Sequence, residues 1–158
     1  METERQRLRA VFDTNIFVAA HLSKNPHSPT MELLRRWRQE EFELLYSDDL
    51  LVEIDEKFSA RGIADEYKDS LLVELRDLAT YVEVKPLDVK PVIIADPDDD
   101  FIPSARLRAS LACTVVGQAD YLVTYDAHFD VLEGEYQGVK ITEALPFLRV
   151  VRGNGLSP

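Results

Sequence analysis

The chain has 158 residues, 46% of them hydrophobic, enough for one sizeable core and too few for two ordinary domains. Its 18 basic and 29 acidic residues leave a net charge of -11, which disfavours anionic membranes and also nucleic acid, unless cations or local basic patches offset it. The only cysteine, Cys113, excludes an intramolecular disulfide framework and a thiolate metal site, and it fits a reducing cytoplasm.

The charged start METERQRLRA lacks the apolar stretch of a signal peptide, and no run of about eighteen apolar residues offers a membrane span. We expect one domain over residues 1–152 and a flexible polar tail from Gly153 to Pro158.

In chain order, Leu8 to Phe12 reads as a short buried strand, followed by Asp13-Thr14-Asn15 and an apolar stretch from Ile16 to Ala20. Ser28 and Pro29 form an N-cap with proline at the first helical position, opening a helix with Met31, Leu33, Leu34 and Trp37. Phe42 to Tyr46 is a second strand, after which Ser47 caps a helix whose first turn holds Asp48 and Asp49, where the helix dipole favours acids.

Leu50, Leu51, Ile54 and Phe58 share one face of that helix, and Tyr67, Leu71, Leu75 and Leu78 repeat the spacing in the next. Strands are expected over Tyr81 to Val84, Tyr121 to Thr124 and Gly138 to Thr142, with a last helix through Leu145, Phe147 and Leu148. Such alternation predicts an α/β sandwich with a parallel sheet covered on both faces. Its ligand crevice is expected outside the carboxyl ends of the strands.

Acids stand at those ends. Asp13 follows the first strand and Asp126 the fourth, so neighbouring strands would place both carboxylates on one edge. The run "DPDDD", with Asp96, Asp98, Asp99 and Asp100, precedes the helical stretch before the fourth strand and offers a third acid. Glu53 lies about 60° around its helix from Leu50 and borders the buried face. Carboxylates converging without lysine or arginine repel one another, and Mg²⁺ or Mn²⁺ suits an all-oxygen set.

Each acid has a simpler reading. Asp13 caps the following helix, Glu53 pairs with Lys57 at i+4, Asp126 is a turn residue, and the aspartate run is a solvated loop. A calcium loop fails, because Phe101 and Leu107 stand where glycine and glutamate are required.

With Asp13-Thr14-Asn15, Ser47 and Glu53 in "YSDDLLVEI", "DPDDD" and "ADYLVTYD" in this order, the chain resembles PIN-domain proteins over roughly residues 7 to 150. It is similar to the branch of toxins in toxin-antitoxin pairs, the VapC-like ribonucleases. That resemblance implies a three-layer α/β/α fold with a parallel sheet of about five strands, a Mg²⁺- or Mn²⁺-dependent endoribonuclease, an RNA substrate, a cognate antitoxin and a homodimer.

Carried over by motif, Asp13, Glu53 and Asp126 match metal-binding acids. The second aspartate of the Asp-Pro-x-Asp motif matches Asp99, with Asp98 and Asp100 as alternatives. Asn15 and Thr124 match small polar residues that orient these ligands and the attacking water.

The chain departs from its relatives where "FIPSARLRASLACTVVGQ" separates Asp100 from Ala119. Residues Pro103 to Ser110 read as an insertion of about two helical turns, with Pro103 delaying the helix.

Arg35, Arg36 and Arg38 on one helix, and Arg106 and Arg108 in the apparent insertion, are candidates to meet the phosphate backbone, or else they serve solubility. Tyr125 is a candidate base-stacking residue, and Trp37 reads as core. His21, His27 and His128 read as surface or neighbouring residues rather than bases.

Rival readings are a catalytically impaired PIN-fold binding module and a Mg²⁺-dependent phosphohydrolase of the haloacid-dehalogenase type. The second wants an aspartate where Asn15 stands. A phosphoacceptor receiver wants a lysine that "LVTYD" lacks.

Overall fold

The computed structural model describes residues 7–86 and 105–155. Its strands are β1 (Arg9–Phe12), β2 (Glu43–Tyr46), β3 (Thr80–Tyr81), β4 (Tyr121–Val123), β5 (Glu135–Tyr136) and β6 (Val139–Thr142). The helices are α1 (Thr14–Leu22), α2 (Pro29–Arg38), α3 (Asp48–Ala60), α4 (Asp65–Leu78), α5 (Ala105–Val116) and α6 (Ala144–Gly155), with a 3-10 helix over Ala127–Leu132.

Serine caps start two helices as their sequences predict. The Ser28 side chain accepts from the Met31 N–H and that of Ser47 from the Leu50 N–H, each satisfying a donor the helix leaves open.

The sheet runs β3-β2-β1-β4-β6-β5. The first five strands of that order are parallel, and β5 pairs antiparallel with β6. From β1 the chain therefore builds outward through β2 and β3, then returns to build the other half from β4. The β1/β4 boundary is where the order reverses, and the crevice beyond its carboxyl ends is where α/β folds bind ligands.

Side-chain alternation along β1 divides the core. Ala10 and Phe12 join α1, α2, α3, α4 and α6 residues on one face, while Val11 joins Leu45, Leu122 and residues of α5 on the other. Both faces are covered, giving three layers, as a central parallel strand requires.

Three details differ from the sequence expectation. The third strand spans only Thr80–Tyr81, a short edge that limits unwanted pairing. A sixth strand, β5, joins β6 through Gln137 and Gly138, whose φ values of 48° and 84° give a two-residue hairpin. Glutamine instead of asparagine at the first turn position hides that signal in the sequence.

In α4, Leu71 and Leu75 are buried while Tyr67 and Leu78 are exposed. Tyr67 packs there on His21, ring to ring at 4.0 Å.

Gly117 ends α5 against the sheet. A Cβ there would come within 2.8 Å of the Cys113 carbonyl oxygen and of Leu45 Cδ1, so only glycine permits this approach.

Helix α6 includes Gly153, Asn154 and Gly155, and the rest of the expected tail lies outside the described residues. Among the described residues no helix is long and apolar enough to cross a membrane.

Candidate active site

Asp13 leaves β1 with its N–H donating to the Val123 carbonyl at 2.9 Å, which continues the β1/β4 ladder by one rung. It occupies the N-cap position of α1, yet its side chain makes no capping bond. The simple capping reading therefore fails. The carboxylate, 4% exposed, instead accepts from Thr124 Oγ1 at 2.8 Å on Oδ2 and from Ser110 Oγ at 3.1 Å on Oδ1.

Burial pushes the Asp13 pKa above its ordinary 3.8, and the nearby Asp126 charge adds to the rise. Hydrogen bonds from Thr124, Ser110 and the Thr14 backbone oppose it without cancelling it.

Thr124 bridges the two acids. While its hydroxyl donates to Asp13, the same oxygen accepts the Asp126 N–H at 2.9 Å. Asp126 then starts the 3-10 helix, its Oδ1 accepting the His128 N–H at 2.9 Å. The Nδ1 of His128 lies 2.9 Å from the same oxygen. Asn15 Oδ1 accepts the Tyr125 N–H at 3.1 Å, which ties the start of α1 to the end of β4.

Glu53 sits on α3 among Leu50, Leu51, Ile54 and Phe58, all buried, and both of its carboxylate oxygens are enclosed. That placement speaks against a purely surface role. Asp99 lies outside the described residues, as do Asp96, Asp98 and Asp100. Among the described residues no three acidic, histidine or cysteine side chains stand close enough to hold a metal ion. The described structure thus brings Asp13 and Asp126 together, with Glu53 on a neighbouring helix.

The pair fits a hard divalent cation chemically. Its donors are all oxygen, no lysine or arginine among the described residues neutralises Asp13, and its raised pKa marks an anion that a cation would relieve.

Ser110 is the residue the sequence reading missed, having assigned it to an insertion. It belongs to an unbroken α5 and is fully buried. The available signal was a pair of small hydroxyl residues, Ser110 and Thr114, spaced one helical turn apart in an otherwise apolar stretch.

The proposed basic patch on α2 dissolves into internal pairs. Arg36 binds Glu32 at 2.9 Å and Glu41 at 2.6 Å, Arg38 binds Glu74 at 2.6 Å, and Arg35 donates to the Pro26 carbonyl. The side chains of Arg106 and Arg108 lie outside the described residues. Trp37 is core, and Tyr125 is 40% exposed. Tyr125 lines a cleft of about 390 Å³ with Asp126, Asp130, Glu133 and Glu143.

Comparison with known proteins agrees with this architecture. No curated protein matches the chain. The crystal structure of PAE2754 from Pyrobaculum aerophilum is similar in fold, with a TM-score of 0.56 and 14% identity over 93% of this chain and 90% of that one. A family model described as PIN domain matches residues 9–128. With that match over most of its length, and with Asp13 and Asp126 meeting at the β1/β4 boundary, this chain belongs to the PIN domain family.

Proposed function

We propose that the chain is a Mg²⁺- or Mn²⁺-dependent endoribonuclease and the toxin component of a toxin-antitoxin pair. PIN domains are generally nucleases and typically use divalent metals. The observation that carries the reading is the buried Asp13 carboxylate, which meets no lysine or arginine among the described residues and is coupled to Asp126 at the switch point of the sheet. Asp13, Glu53, Asp99 and Asp126 are the residues we assign as metal ligands.

A bound divalent ion supplies Lewis-acid chemistry, lowering the pKa of a water and offsetting negative charge on the phosphodiester. The chain's own polar groups hold that arrangement. Thr124 fixes one oxygen of Asp13 and the backbone of Asp126, and Asn15 holds the backbone of Tyr125 between them. No histidine base is required. RNA approaching a chain of charge -11 depends on cations at the site, because phosphate affinity rests on positive charge.

The reading places the protein in the cytoplasm as a homodimer, with an antitoxin as its partner. A haloacid-dehalogenase-type phosphohydrolase is disfavoured by Asn15, whose amide oxygen is taken up by the Tyr125 N–H.

The test is cleavage of mixed RNA with Mn²⁺ or Mg²⁺ by the wild type, Asp13→Asn and Asp126→Asn. Cleavage by the wild type alone supports the assignment. Inactivity with both metals ends it in favour of a binding module, and equal cleavage by the variants ends the assignment of these acids as the site.

A further inference from the structure

We propose that Ser110 is a positioning residue of the metal centre, its hydroxyl holding Asp13 Oδ1 so that the Asp13–Asp126 pair is set to receive a divalent cation. This rests on the metal-dependent reading above and adds a residue of α5 to it.

Ser110 reaches Asp13 across 97 residues of sequence, at 3.1 Å and fully buried. Thr124 holds the opposite oxygen at 2.8 Å. A carboxylate rotates over a broad range about its terminal bond, and two donors on opposite oxygens restrict that rotation. Both donors are neutral, so they orient the carboxylate while leaving its charge for a cation. An arginine in the same place would compete with the metal.

The behaviour of Thr114, one turn further along α5, shows that Ser110 has an alternative. A buried hydroxyl on a helix ordinarily donates to a carbonyl three or four residues earlier, and Thr114 does so, to Ser110 O at 3.1 Å and Leu111 O at 2.7 Å. Ser110 instead directs its proton out of the helix to Asp13. The bond also ties the helix that follows the aspartate run in sequence to the first strand of the sheet.

The experiment is calorimetric titration of Mn²⁺ into the full chain, comparing wild type, Ser110→Ala and Thr114→Val, with thermal unfolding and Mn²⁺-dependent RNA cleavage measured in parallel. Both variants remove one buried hydroxyl from α5, but only one of those hydroxyls touches Asp13. A buried hydrogen bond worth about 1 kcal/mol predicts that Ser110→Ala weakens Mn²⁺ binding about fivefold, while Thr114→Val binds as the wild type does.

If Ser110→Ala fails to fold, Ser110→Cys carries the same expectation, since it keeps the volume with a weaker donor. Unchanged Mn²⁺ affinity in the Ser110 variant overturns the proposal, as does an equal loss in Thr114→Val. A wild type that binds no Mn²⁺ and cleaves no RNA removes the functional reading and this proposal together. A wild type that does both, matched by Ser110→Ala, removes this proposal alone.

Discussion

Thr124 and Asp13 are joined by a 2.8 Å hydrogen bond across 111 residues of sequence, and the Thr124 oxygen also accepts the Asp126 N–H. One hydroxyl thus sets the side chain of one acid and the backbone of the other, and its substitution should disturb both. Thr124→Val keeps the shape and removes both bonds. At about 1–3 kcal/mol for a buried bond, RNA cleavage should fall roughly 5- to 150-fold, with Thr124→Ser retaining most of the rate. Equal rates in the valine variant and the wild type would show that the bridge is incidental.

Asp13 makes the metal-free protein sensitive to pH. Its folded pKa lies above the ordinary 3.8, so the native state holds that proton more tightly than the unfolded chain does. Its contribution is favourable at low pH and becomes a cost as the pH rises through the folded value. At neutral pH without metal, Asp13→Asn should therefore melt at a higher temperature than the wild type, the gap closing as the pH falls toward 3.8.

Added Mn²⁺ should reverse that order, because a ligand of the native state stabilises only the chain that binds it. Melting curves across pH, with chelator and with Mn²⁺, check both parts.

Glu32 shows the opposite sign. The hydrogen bond from Arg152 lowers its pKa most; burial opposes it, and the Arg36 hydrogen bond and both positive charges bring the value from 4.5 down to about 2, while the same bonds pin α6 to α2. A depressed carboxyl contributes stability above its unfolded value and loses it as the pH falls through the folded one. Glu32→Gln should lower the urea midpoint at neutral pH, and the difference from wild type should shrink between pH 4.5 and about 2. A constant difference across that window would mean that packing, not charge, dominates.

Gly117→Ala should destabilise the fold by about 1–3 kcal/mol, the usual cost of forcing an extra carbon into a close-packed place. The added carbon would meet backbone at Cys113 and the side chains of Leu45 and Val82, all under 3.0 Å. Chemical denaturation reads this directly, and an unchanged midpoint would mean that α5 can lift from the sheet at little cost.

The local features of this protein follow from residues close together in the chain. Serine caps at Ser28 and Ser47, the apolar face of Leu50, Leu51, Ile54 and Phe58, and acids placed just after strands β1 and β4 all act within a turn or two. Neighbour geometry is enough to determine them. Only the tertiary structure decided what those elements meet.

Strand order, the pairing of Arg38 with Glu74 and the bond from Ser110 to Asp13 join residues far apart in sequence. Such contacts leave no periodic trace, because what selects them is competition among long-range partners for burial and hydrogen bonding. That is why Ser110 read from its sequence only as the end of an apparent insertion and became, in the fold, the residue through which α5 holds Asp13 from its second side.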